Sequence, residues 1–170
     1  MNRQELFNQV KSWLEAEKLA FIADDEGSFI LQINANNCRF QLNLQCEDEP
    51  TLLQVLCWFS LKVPPEKVAE AGLLVHNINA RLRLGVFQFD VEERVVGFRL
   101  AMPIRPEADL AEQFTQSITT TLRTVDEQVR TFGLLACSVA AAQQELAKLT
   151  PTAGAGDANP SLVSGRMELN

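Results

Sequence analysis

Val63-Pro64-Pro65-Glu66, continued through Asn77-Ile78-Asn79 to Gly85-Val86-Phe87-Gln88-Phe89-Asp90, decides how this chain is read. The prolines suit a first helical turn, where a missing N–H costs nothing. Val68, Ala71, Val75, Ile78 and Leu82 then recur at three and four, an a/d-like seam that predicts a helix ending near Leu82. Gly85 turns the chain into a strand with Phe87 and Phe89 on one side. The seam is too short for a free coiled coil. It suits packing on a sheet, or on its own copy in a dimer.

Upstream, the period is two. Leu19–Asp24 predicts a short strand and Ser28–Asn34 the next, with turns at Asp25-Glu26-Gly27 and Ala35-Asn36-Asn37. From Cys38 to Cys46, apolar residues alternate with Arg39, Gln41, Asn43 and Gln45, so one side of this strand should face water. Glu47-Asp48-Glu49-Pro50 closes a hairpin. The strand Leu52–Leu61 differs. Leu53, Val55, Cys57, Phe59 and Leu61 line one side, while Leu52, Leu56 and Trp58 stand on the other. A strand apolar on both sides needs cover on both. That cover would be a helix, or another subunit.

Two further helices frame the strands. Arg3–Lys18 carries Leu6, Phe7, Val10, Trp13 and Leu14 on one stripe, with Asn2 and Glu5 placed for a reciprocal cap. Val96, Phe98, Leu100 and Met102 mark a last strand, ended by Pro103. Asp109 and Glu112 then open a long helix, on which Phe114, Ile118, Thr121, Val125, Val129 and Phe132 repeat. Its pattern runs to about Leu149, with Gly133 as a candidate break. The expected fold class is α+β, an antiparallel sheet with flanking helices in the order α-β-β-β-β-α-β-β-α. Residues 1–149 would form one domain, and 150–170, rich in Gly, Ala and Pro, a disordered tail.

Composition narrows function by exclusion. The chain has 170 residues, 46% of them hydrophobic, and a net charge of −7. That acidity argues against a nucleic-acid backbone as partner. The start carries mixed charge with no apolar run after it, which is not a signal peptide. No stretch approaches the ~20 apolar residues of a spanning helix. Cys38, Cys46, Cys57 and Cys137 include no C-x-x-C pair, and His76 is the sole histidine, so no zinc-ligand set exists. Buried free thiols suit a reducing cytoplasm, with a Cys46–Cys57 bridge as the structural alternative.

Chemistry is sparse. A Cys57/His76 pair is the only nucleophile–base option, with no third group to orient it. The acidic clusters Asp24-Asp25-Glu26, Glu47-Asp48-Glu49 and Asp90 with Glu92 and Glu93 fall in turns without calcium-loop spacing. No phosphate loop is present, and no catalytic, metal or cofactor residues are expected. Trp58, Leu52 and Leu56, with Ile30 and Val86 on other strands, would form a protein-contact patch if no helix covers them.

The opening block, with Trp13-Leu14-Glu15 and Asp24-Asp25-Glu26-Gly27 upstream, resembles the YbjN family over roughly Gln9 to Arg130. Those are bacterial proteins with the fold of type III secretion chaperones, often labelled sensory transduction regulators. The resemblance implies a compact α+β domain, commonly a homodimer, holding a client segment along apolar surface grooves. It carries over no catalytic residue. The expectation is a non-enzymatic, homodimeric, cytoplasmic protein-binding module, chaperone-like or regulatory. The expected binding or dimer surface is Leu52, Leu56, Trp58, Val68, Ala71, Val75 and Ile78. The alternative is a small-molecule-sensing regulatory domain with a pocket between sheet and long helix.

Overall fold

A computed structural model describes residues 1–24, 27–35 and 39–136. Its elements are α1 (Arg3–Ala16), β1 (Phe21–Ala23), β2 (Ser28–Asn34), β3 (Arg39–Glu47), β4 (Leu52–Lys62), α2 (Val68–Asn79), β5 (Val86–Asp90), β6 (Val95–Pro103) and α3 (Leu110–Ala136). A 3-10 turn, Pro65–Lys67, leads into α2. The fold is α+β in the expected order. The turn expected at Asp25-Glu26, the one at Asn36-Asn37, the residues Cys38 and Cys137, and everything proposed for 137–170 lie outside the described residues.

One six-stranded sheet runs β1-β2-β3-β4-β6-β5, with every neighbouring pair antiparallel. The first four strands form a meander of short connections. Then β4 passes through α2 to β5 at the sheet's edge, and β6 returns between them. The β4 and β5 strands therefore run parallel, separated by one strand, so a helical crossover is required rather than a hairpin.

Both flanking helices cover one side of the sheet. On α1, Leu6, Val10, Trp13 and Leu14 are buried, Phe7 stacks on Phe29 at 4.4 Å, and Trp13 meets Phe114 of α3 edge-on at 5.8 Å. On α3, Phe114, Ile118, Leu122, Val125 and Phe132 are buried. Phe132 packs on Phe59 at 5.3 Å and on Phe87 at 5.2 Å. Beneath them lies the alternate set of each strand: Phe29, Leu31, Leu42, Leu44, Leu53, Val55, Phe87, Phe98 and Leu100. Period two on the strands and period 3.6 on the helices meet in this single core.

The ends of the helices follow local rules. Asn2 Oδ1 accepts the Glu5 N–H at 2.9 Å while Glu5 accepts the Asn2 N–H, as the capping box requires. Asp109 Oδ1 accepts the Glu112 N–H at 3.1 Å. Described α3 runs unbroken through Gly133 to Ala136. Two boundaries differ from expectation. Leu19 gives its N–H to the Leu14 carbonyl and so belongs to the end of α1, which shortens β1 to Phe21–Ala23. The α2 helix ends at Asn79, after which shorter-range turn bonds carry the chain to Leu82.

The Cys46–Cys57 bridge is excluded. Cys46 lies opposite Leu53 and Cys57 opposite Leu42, four residues apart along the β3–β4 ladder. That is about 13 Å at the strand rise, where a disulfide needs Cα atoms within about 7 Å. Both cysteines are buried and not bridged to each other, and burial pushes the Cys46 thiol up to about 12 while nearby Arg3 pulls it down.

Candidate protein-binding surface

Among the described residues, no helix lies across the other side of the sheet. Its side chains come from the alternate residues of each strand, and the register orders them into rows. One row reads Ile22, Ile30, Asn43, Leu56, Arg99, Val86 across all six strands. At strand spacing it is about 24 Å wide. A second row includes Gln32, Gln41 and, farther across, Trp58, Gly97 and Gln88. A third holds Ser28, Gln45, Gln54 and Ala101, and beyond it Leu52 faces Pro103. Across these rows the charged residues are Arg99 and, opposite Leu52 at the far end, Glu47; amides, aliphatics and Trp58 fill most of the remainder.

Trp58 owes its position to Gly97. The two lie directly opposite on β4 and β6. A Cβ at Gly97 would come within 2.5 Å of Trp58 Cε3, so the indole lies against a bare stretch of backbone. Glycine in a strand interior weakens pairing, and a cross-strand aromatic that covers it restores packing. Gly97 is accordingly buried while Trp58 stays 45% exposed. The indole is held by its underside and offers its upper face. Leu56, two residues along, and Leu52 are half-buried on the same side. Ile30 and Val86 share the row with Leu56, but Asn43 and Arg99 stand between, so the patch alternates polar and apolar instead of forming one aliphatic sheet.

The α2 residues take another place. Ala71 and Val75 are buried in the chain's own core, and Ile78 is half-buried against it. Val68 is half-buried at the helix start. The side of α2 that faces solvent instead carries Leu73, 66% exposed. The seven expected surface residues thus divide. Leu52, Leu56 and Trp58 share the open side of the sheet, and the α2 seam packs inward.

Asn79 has a structural duty that periodicity does not reveal. Its Nδ2 donates to the Phe87 carbonyl at 2.9 Å, and its Oδ1 accepts the Phe87 N–H at 2.8 Å. Phe87 is in the edge strand β5, and these two backbone groups point away from β6. The amide reproduces what a neighbouring strand would offer. Gln113 makes the same paired contact with the backbone of Arg105, at 2.9 and 3.0 Å. An Asn just ahead of a glycine turn and a strand was the available signal, but Asn has many uses in such places.

The remaining chemistry disperses. Cys57 is 1% exposed in the core, and His76 stands on the exposed side of α2, so this thiol offers no open position to a substrate. Asp24 accepts from the Ser28 N–H and hydroxyl, and Asp90 accepts the Glu93 N–H at 2.8 Å, so these acids fasten their turns. Among the described residues no group of three or more His, Cys, Asp or Glu is placed to hold a metal ion. No described helix is long and apolar enough to cross a membrane. One open hollow of about 580 Å³ lies between Met1, Asn2, Glu5 and the Asp48–Thr51 turn. Its Glu5 and Asp48 carboxylates are already engaged by the Asn2 and Arg3 N–H groups.

One solved structure, that of YbjN, agrees on the fold. The crystal structure of YbjN from E. coli superimposes with a TM-score of 0.54 at 12% identity, covering 71% of this chain and 85% of that one. The HopA1–SchA chaperone–effector complex contains a chain matched at a TM-score of 0.44 and 17% identity, covering 75% of this chain and 95% of that one. No curated protein matches in sequence. A family model described as "Putative bacterial sensory transduction regulator" matches residues 7–134, well over half of the chain. By that match the chain belongs to the YbjN family.

Proposed function

We propose that this protein is a non-enzymatic protein-binding module, chaperone-like or regulatory, that takes a client segment on the open side of its sheet. The observation that carries this reading is Trp58, a large aromatic held over Gly97 and left 45% exposed beside Leu56. Exposed aromatics with a fixed underside bind at low entropic cost, and they dominate contact energetics in protein interfaces. Amide side chains around it satisfy polar groups of a partner without the desolvation penalty of charges. The protein acts in the cytoplasm as a homodimer, its copies meeting through the outward side of α2, where Leu73 is exposed, and the following turn, where Leu84 is exposed. No nucleic acid or membrane takes part.

The interior supports this reading over small-molecule sensing. Phe59, Phe87, Phe98 and Phe132 fill the space between sheet and α3, with ring centroids 5.0 to 6.3 Å apart. A pocket there would require displacing that cluster.

A photoreactive amino acid at Leu56, compared with one at Gln4 on exposed α1, tests the surface in the native cell. Expected are discrete protein adducts from Leu56, lost when Trp58→Glu is added, with circular dichroism unchanged. Equal adducts from both positions would sink the proposal. Light scattering of the purified chain checks the dimer.

A further inference from the structure

We propose that the client segment taken on the open side of the sheet is extended and acidic, with a large apolar side chain over Trp58, a carboxylate two residues away against Arg99, and a course that continues toward Arg83. The inference rests on the reading of that side as a docking surface, and it names the chemistry of what docks there.

Charge is segregated along the chain. The net charge is −7, yet residues 71–89 and 94–106 contain no Asp or Glu and five arginines: Arg81, Arg83, Arg94, Arg99 and Arg105. Those stretches supply most of α2, the turn after it, most of β5 and all of β6. Arg81, Arg83 and Arg99 are exposed, and no salt bridge reaches them among the described residues. Other charges on this side or at its rim are already engaged. Arg39 has a contact of its own, and Glu47 accepts from the Gln54 amide. Asp90 accepts the Glu93 N–H, and Lys62 pairs with Glu93 at 3.1 Å. One corner of an acidic protein thus presents guanidinium groups to solvent, the complement of a carboxylate.

The register sets the spacing. Arg99 lies opposite Leu56 and Trp58 opposite Gly97, so Arg99 and Trp58 are diagonal neighbours on β6 and β4. Such neighbours are about 7–8 Å apart. On an extended peptide, successive side chains of one side are separated by about 7 Å. A large apolar residue and an acid two positions apart therefore meet Trp58 and Arg99 together. The same diagonal leads on to the start of β5, because Val86 lies opposite Arg99 and Arg83 precedes Val86 by three residues. That is at most about 11 Å of chain, within reach of a second acid on the client. A long phosphate backbone would run beyond this corner and meet the acidic remainder of the molecule, whereas a short acidic segment meets the corner alone.

The test selects a random twelve-residue peptide library on the immobilised full chain. Expected are sequences with Asp or Glu two residues from a large apolar residue. Selection on Arg99→Glu should exchange that acid for Lys or Arg, a reversal that a loss of folding does not produce. The best peptide selected on the unaltered chain should bind Arg99→Gln about threefold more weakly, and Arg83→Gln with Arg99→Gln about tenfold, the scale of one and two exposed ion pairs. Circular dichroism of both variants should be unchanged.

Selected peptides without an acidic preference would overturn the inference. So would a preference that is the same on Arg99→Glu, or one that Trp58→Glu leaves untouched. A labelled single-stranded DNA bound more tightly than the best peptide, and released by Arg83→Gln with Arg99→Gln, would assign the arginines to phosphate and overturn it too. Peptides that lack acids but are lost on Trp58→Glu remove this inference and leave the proposed function standing. No enrichment over a blank support removes both.

Discussion

The two sides of one sheet follow opposite rules. The inner side, under α1 and α3, is apolar at nearly every position and closed by aromatic contacts. The outer side uses the same strands, offset by one residue, to display amides, aliphatics, a few charged residues such as Arg39, Glu47 and Arg99, and an exposed tryptophan. Stability resides on the first; the second is where we propose that recognition occurs. Because successive side chains point to opposite sides, the chain tunes one without disturbing the other.

Substitutions should separate the two sharply. Phe87→Ala removes a ring that contacts Phe59, Phe98 and Phe132. It should cost about 3–5 kcal/mol in urea unfolding. A loss under about 1 kcal/mol would mean that the inner side is not tightly packed. Gly85→Ala is next. Gly85 has φ +73°, and a Cβ there would meet Phe98 Cζ at 2.2 Å. Backbone strain and overpacking together should cost about 2–4 kcal/mol.

Asn79→Ala probes the boundary between the two regimes. It leaves the half-buried N–H and carbonyl of Phe87 unpaired and should cost about 1–3 kcal/mol. Asn79→Asp should recover only the N–H contact, because a carboxylate has no donor for the carbonyl. On the outer side, Arg99→Ala should change stability by no more than about 0.5 kcal/mol while altering partner capture. A destabilisation comparable to Asn79→Ala would blur the division.

Cys46 supplies a pH test of inner closure. Its folded pKa is raised from 9.0 to about 12 by burial. The folded chain then holds this proton where the unfolded chain has released it. The contribution is fully present below pH 9, and stability falls as pH rises through the window from 9 toward 12. Cys46→Ser or Cys46→Ala should flatten that decline. Unchanged slopes would mean that the thiol is open to water.

Much of this division was legible in the residues. Alternation in Cys38–Cys46 separated core from solvent, and the doubled apolar character of Leu52–Leu61 marked β4 as apolar on both sides, although no described helix supplies the second cover. The helix-two seam was correctly periodic, but periodicity gives only a face, not what lies against it. Ala71 and Val75 turned to the chain's own core. The partnership of Trp58 with Gly97 was out of reach, because the two are thirty-nine residues apart and β6 slots between β4 and β5 by a crossover. Strand order is set by long-range packing, and local pattern does not encode it. The backbone contacts of Asn79 and Gln113 were hidden for the same reason.

The amide of Asn79 also determines how copies of this chain may grow. A sheet extends without limit only when one edge of each copy joins the other edge of the next. Here the β5 edge is occupied at Phe87 from within the chain, and the opposite edge is β1, three residues long. Joining through the β5 edge would have to displace that amide, and β1 offers little length to a partner. One side chain thus blunts the edge at which a further strand would join.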